Sequence, residues 1–210
     1  MSKSELRFER GGAPAKGSLE PLRESVPLPD VEEHDLVRAA QGGDVLAMSL
    51  LMDRLAPWLA RICGGIALEQ ADDAAQEALL QIFRDLSTLR EPVALRGWAR
   101  RIAVREAVRH AQRARQERGR AVGGDVAQTV AHADAHAIGH AAGQAIDPGV
   151  APDVRAVLAQ LAPEQRAILV LRDLEGLSED EAAEQLGVAK GTVKSRLFRA
   201  REAFVRRWSQ

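Results

Sequence analysis

Between Ser178 and Trp208 the chain carries start and stop signals that leave few folds open. Ser178 with Glu181 three residues on is the capping-box pairing, so a helix starts there, and Ala182, Ala183 and Leu186 give it a two-turn buried side. Leu186-Gly187-Val188 then makes a tight turn. The next helix starts near Ala189 or Lys190 and runs to about Trp208, with Val193, Leu197, Ala200 and Phe204 at packing spacing. A short capped helix, a glycine turn and a longer helix predict a helix-turn-helix.

The longer helix is basic: from Gly187 to Gln210 there are seven Lys or Arg against one Glu. In this arrangement the second helix enters a DNA major groove and its N-terminal half reads bases. Lys194, Ser195, Phe198 and Arg199 project away from the packing stripe, toward base edges or a thymine methyl. Lys190, Thr192 and Arg196 are better placed for phosphate. A charge run more often just solvates a surface helix, but here it follows a capped helix and a specific turn.

Upstream, Pro163 opens a helix through Ile168, Leu169, Leu171 and Leu174 that ends at Glu175-Gly176, preceded by a short helix from Val154 to Leu161. At the other end, residues 1–30 mix four Pro and three Gly with five basic and five acidic residues and keep no apolar period, which predicts a disordered leader. From Glu32, Leu36, Val37 and Ala40 mark one helix. After Gly42-Gly43, Asp44 is the N-cap candidate of a second, with Leu46, Leu50, Leu51, Leu55, Leu59 and Ile62. A break at Gly64-Gly65 is expected, then a helix from Glu69 to Arg84 with an acidic opening of Glu69, Asp72, Asp73 and Glu77, which the helix dipole alone would favour, and with Leu79, Leu80, Ile82 and Phe83 as its apolar residues. Residues Ser87 to Arg96 read as a loop, and Gly97-Trp98 opens a helix in which Trp98, Ile102, Ala103 and Val108 form a narrow stripe. Eight arginines face Glu106 and Glu117 between Trp98 and Arg120. From Gly119 to Asp153 Ala, Gly, His and Asp replace large apolar residues, so this segment is expected to be an interdomain linker.

Aromatics make up 3% of the chain, with no Tyr, and Ala, Leu, Arg and Glu are plentiful, so an all-α protein of two small helical domains joined by a flexible linker is expected. The formal net charge of -1 names no partner, whereas its uneven distribution does. The single cysteine, Cys63, can close no intramolecular disulfide and reads as a small core residue. His132, His136 and His140, four apart, would align on a helix, but their glycine-rich surroundings favour solvated linker over a metal site. No cofactor, metal or catalytic constellation is expected, and the chain does not read as an enzyme. No signal pattern or run of 18 apolar residues occurs, so no membrane insertion is expected and a cytoplasmic location follows by default.

The run LAPEQRAILVLRDLEGLSEDEAAEQLGVAKGTVKSRLFRAR, Leu161 to Arg201, resembles region 4 of bacterial RNA polymerase sigma factors of the extracytoplasmic-function (ECF) group, most specifically at Gly191-Thr192-Val193-Lys194-Ser195-Arg196-Leu197. Leu36-Val37-Arg38-Ala39, Gly43-Asp44, Ala71-Asp72-Asp73-Ala74-Ala75-Gln76-Glu77 and Trp98-Ala99-Arg100-Arg101-Ile102-Ala103-Val104 resemble region 2. The likeness covers about Glu32 to Arg207. The chain departs from it at Arg105, where the group often has Asn, and at Ala99, where Leu is common.

The resemblance implies region 2 at 31–118, a linker at 119–152 and region 4 at 153–210. It also implies a subunit that binds core RNA polymerase, directs transcription initiation and reads two promoter DNA elements. The seven residues named on the basic helix would read the minus 35 element. Thr88, Arg90, Arg96 and Trp98 would hold a flipped base of the minus 10 element, and Arg100, Arg101, Arg105 and Arg109 the phosphates of the opening duplex. Asp72, Asp73, Gln76 and Glu77 would meet the polymerase clamp, and an anti-sigma factor is an implied partner. The alternative, a stand-alone helix-turn-helix regulator, has no reason to carry the acidic helix or the Trp98 helix.

Overall fold

A computed structural model describes residues 32–123 and 152–209. The expected leader, most of the expected linker and the His132, His136 and His140 triplet lie outside the described residues. Eight α-helices and no strand occur among the described residues: α1 (Glu33–Gln41), α2 (Val45–Ala67), α3 (Ala71–Asp85), α4 (Leu95–Gly123), α5 (Pro152–Ala159), α6 (Pro163–Leu169), α7 (Glu179–Leu186) and α8 (Lys190–Trp208).

The first four helices bundle around α2. Asp44 caps α2 as expected, its Oδ1 accepting from the backbone N–H groups of Leu46 and Ala47 at 2.9 and 3.0 Å. Leu51, Leu55, Leu59, Ile62 and Ile66 of α2 are completely buried, and they meet Leu36 and Val37 of α1, Ile82 of α3, and Leu95 and Ile102 of α4. Two expectations about helix bounds need correction here. Gly64-Gly65 does not break α2, which continues to Ala67 and ends where Leu68 takes a positive φ of 59°. Of the apolar residues on α3, Leu80 and Phe83 are exposed, because alanines at 71, 74, 75 and 78 with Ile82 occupy the inner side of the helix. Helix α4 opens at Leu95 rather than Gly97, since a 3-10 turn over Pro92–Ala94 feeds directly into it and Leu95 is buried as its anchor.

The last four helices form a smaller group. Helix α6 passes into a π turn over Val170–Leu174, closed by a bond from the Glu175 N–H to the Val170 carbonyl at 2.8 Å. Ile168, Leu171, Val193, Leu197 and Ala200 pack inside this group and belong to the same continuous core as α2 and α4. Both expected helical groups are therefore present, and they also dock on each other. At the seam a Cβ placed on Gly65 would lie 2.7 Å from Val170 Cγ2, so the glycine read as a helix breaker is what lets the π turn approach α2. Beside it Arg166, 4% exposed, donates from Nε to the Ile66 carbonyl at 2.6 Å and from Nη1 to the Leu161 carbonyl at 3.1 Å. The Ile66 carbonyl lies in the last turn of α2, where helical partners run out, so an arginine from the second group caps the first. Burial, with Arg118 and Arg115 nearby, lowers the Arg166 pKa to about 10, which leaves it cationic at neutral pH.

Candidate nucleic-acid interface

The helix-turn-helix is built by its caps. Ser178 N–H donates to Glu181 Oε2 at 2.7 Å and Glu181 N–H to Ser178 Oγ at 3.2 Å, the reciprocal pairing expected, and these bonds hold the exposed Glu181 carboxyl below the usual range. Gly187 adopts φ 63°, and the Val188 N–H bonds back to the Ala183 carbonyl at 3.1 Å, closing the turn between α7 and α8. Val193, Leu197, Ala200 and Ala203 form the buried stripe of α8, while Phe204 is half-buried and stacks on Trp208 at 6.0 Å.

With that stripe turned inward, Lys190, Lys194, Ser195, Phe198 and Arg199 are exposed, and Thr192 and Arg196 are half-buried. Phe198 is 70% exposed, a cost in apolar surface that packing within the chain does not explain. Arg199 lies back along the helix, Nε donating to the Ser195 carbonyl at 3.2 Å. Lys190 Nζ reaches Asp180 Oδ2 at 2.8 Å, which raises the lysine pKa and links the first turn of α8 to α7.

The expected minus 10 residues are distributed differently. The segment between α3 and α4 is pinned by buried Leu86, Leu89 and Leu95 and tied to α1 at both ends. Gln41 Nε2 donates to the carbonyls of Leu86 and Leu89 at 2.9 and 2.7 Å, and Arg96 Nε pairs with Glu33 at 2.9 Å. Thr88 and Arg90 are left exposed between these ties, with Thr88 Oγ1 donating to the Asp85 carbonyl at 2.7 Å, and Trp98 is half-buried. On α4, Arg105 donates to Gln81 Oε1 at 2.7 Å, and Arg109 pairs with Glu106, which is 5% exposed. Arg101 and Arg100 reach the other helical group: Arg101 pairs with Glu184 at 2.6 Å and Arg100 with Glu175 at 3.5 Å.

Glu175, Trp58, Arg61, Arg166 and Gln41 make the tertiary polar contacts that sequence reasoning missed. A Glu before a Gly at a helix end announces only a helix end, and the partners that Glu175, Gln41 and Arg166 Nε find lie 45 to 117 residues away. On α3, Asp72, Asp73 and Gln76 are exposed and Glu77 is half-buried. Leu80 and Phe83, 41% and 54% exposed, continue the line of Asp73 and Gln76 at helical spacing, so this surface is apolar as well as acidic. Cys63 is buried as expected, its thiol pushed up to about 12 by desolvation, with the Glu106 charge adding to the rise. Among the described residues no group of three or more His, Cys, Asp or Glu could hold a metal ion, and no helix is long and apolar enough to cross a membrane.

Comparison with known proteins matches the Sigma-70 region 2 family over residues 51–117 and the Sigma-70, region 4 family over residues 153–204. RNA polymerase sigma-H factor of Pseudomonas aeruginosa is 32% identical over 183 residues, 84% of this chain and 93% of that protein. The ECF RNA polymerase sigma factor SigM of Mycobacterium tuberculosis is 32% identical over 174 residues, 82% of each chain. The ECF RNA polymerase sigma-E factor of Escherichia coli is 30% identical over 173 residues, covering 80% of this chain and 90% of that protein. Among solved structures, CnrH in complex with the cytosolic domain of CnrY aligns with a TM-score of 0.53 at 21% identity, over 82% of this chain and 94% of that one. RpoE in complex with the anti-sigma factor NepR from Bartonella quintana aligns with a TM-score of 0.52 at 20% identity, over 81% and 98%.

Proposed function

Because the chain belongs to the ECF group of RNA polymerase sigma factors, which direct promoter-specific transcription initiation, we propose that its two helical groups divide that task as region 2 (31–118) and region 4 (153–210). The observation that carries the division is the outward face of α8. Val193, Leu197 and Ala200 serve packing, and Lys194, Ser195, Phe198 and Arg199 are exposed on a helix that a capped α7 and the Gly187 turn hold in place. These four read base edges of the minus 35 element, with Phe198 against a thymine methyl, and Lys190, Thr192 and Arg196 bind phosphate.

Region 2 supplies the rest. Thr88, Arg90, Arg96 and Trp98 hold a flipped minus 10 base in the segment braced by Gln41 and Glu33, and Arg100, Arg101, Arg105 and Arg109 bind the opened strand. Asp72, Asp73, Gln76 and Glu77, joined by exposed Leu80 and Phe83, dock core polymerase. A stand-alone regulator would have no use for that surface. An anti-sigma factor is a further proposed partner, supported by the likeness to a chain solved in such a complex, and the site of action is cytoplasmic, with core polymerase.

Run-off transcription with purified core polymerase on a genomic promoter library tests this reading. Initiation from a defined promoter subset that requires the chain is the expected result. Arg199→Ala should relax selection at particular upstream bases, whereas an equal loss on every sequence would reduce Arg199 to a phosphate contact. Replacing Asp73 and Gln76 together should abolish capture of core polymerase with the fold intact, and undiminished capture would move the polymerase contact elsewhere.

A further inference from the structure

A carboxylate from the second helical group sits inside the first. The Glu175 side chain is 4% exposed, and its oxygens accept from Trp58 Nε1 at 3.0 Å and Arg61 Nη2 at 3.1 Å, with Arg100 Nε a second cation at 3.5 Å. The Arg96 and Arg100 guanidinium groups lie over the Trp58 ring, 4.9 and 5.4 Å from its centroid, so the indole that donates to Glu175 is itself fixed between two cations. A buried carboxylate persists only with such partners. The partners here are two guanidinium groups and an indole N–H, a set that would accept the paired oxygens of a phosphodiester as readily as those of a carboxylate.

The rest of the seam holds the carboxylate in. Val170 seats over Gly65, Arg166 reaches the Ile66 carbonyl, and Arg101 pairs with Glu184 at the exposed margin. Two of the arginines assigned above to the opened strand, Arg100 and Arg101, thereby face acidic residues of region 4. We propose that Trp58, Arg61 and Arg100 form an anion pocket on region 2 that Glu175 fills in the free chain and a DNA phosphate fills once the halves part, so that region 4 and the minus 10 strand compete for one site. The inference rests on the phosphate assignment of Arg100 and Arg101.

The full-length chain tests it. Fluorophores attached at Arg84→Cys and Glu202→Cys, both exposed, report the separation of the halves, and buried Cys63 stays unlabelled. Anisotropy of a fluorescein-labelled single-stranded oligonucleotide, with chain lacking the fluorophore pair, reports anion binding at low salt. Glu175→Gln should lower energy transfer and tighten oligonucleotide binding by about tenfold or more, the scale of one lost charge-assisted bond. Glu184→Gln, an exposed change that leaves the core untouched, should act in the same direction by about threefold. Arg100→Gln added to Glu175→Gln should return affinity toward wild type, and excess oligonucleotide should lower energy transfer in the chain with Glu175 intact.

Unchanged transfer and affinity in both glutamate variants would overturn the proposal, as would lower transfer without tighter binding. Permanganate footprinting of promoter melting by holoenzyme carrying Arg100→Gln and Arg101→Gln separates the causes. Undiminished melting would fault the phosphate assignment, while lost melting beside inert glutamate variants would fault the closure.

Discussion

Region 2 and region 4 are both helical, yet they are held together by different forces. Of the twelve largest fully buried side chains, nine lie in region 2 and only Ile168, Leu171 and Val193 in region 4. Region 2 rests on apolar burial, roughly 1.5–3 kcal/mol for each large side chain. Region 4 has too little core for that and leans on polar closures: the Ser178 and Glu181 cap, the Gly187 turn, and Arg166 and Glu175 reaching into region 2. The smaller half therefore gains order from the larger, and the same contacts cover the charged surface of the larger half for which DNA binding is proposed.

The largest test of that contrast is Arg166→Ala. It strands the carbonyls of Ile66 and Leu161 in the interior, and urea unfolding should show a loss of about 3–5 kcal/mol concentrated in region 4. A loss no greater than that of a surface substitution would mean that region 4 holds itself together and would break the comparison. In region 2, Ile82→Ala should cost about 3 kcal/mol through its cavity, and the loss should appear in the transition of the α2 and α3 bundle. Gly65→Ala drives a methyl into Val170, so about 1–3 kcal/mol of docking should disappear. Val170→Ala in the same chain should recover most of it, and a simple sum of two losses would remove the close approach from the account.

Gly187→Ala is expected to cost about 1–2 kcal/mol from the positive φ alone, confined to the helix-turn-helix. The smallest effect is chemical. Because folding lifts the Cys63 pKa from near 9 to about 12, its contribution to stability is complete below pH 9 and fades as the pH climbs toward 12. Iodoacetamide at pH 8 should therefore leave the native chain unmodified and label it fully in urea. Fast native labelling would show that the region 2 core opens, against the contrast drawn here.

Much of the fold was legible because its signals are local. Asp44, Ser178 with Glu181, Pro163 and Gly187 each act on backbone groups within four residues, so their spacing alone placed the starts of α2, α6, α7 and α8. The stripe of Val193, Leu197 and Ala200 likewise fixed which side of α8 faces outward. Gly64-Gly65 misled because glycine weakens a helix and also permits close packing, and only the position of Val170 decides between the two. The exposure of Leu80 and Phe83 was not legible for a related reason: four alanines fill the inner side of α3, leaving the larger residues to the surface.

The sequence by itself determined an all-α chain, its helix-turn-helix, its basic and acidic helices and its likeness to ECF sigma factors, since each follows from periodicity, caps or contiguous motifs. Only the tertiary structure decided where the charges go. Glu175 lies more than a hundred residues from Trp58 and Arg61 and pairs with them solely because the π turn seats against α2. Such a contact depends on the relative placement of two helical groups, and local sequence carries no record of a partner that distant.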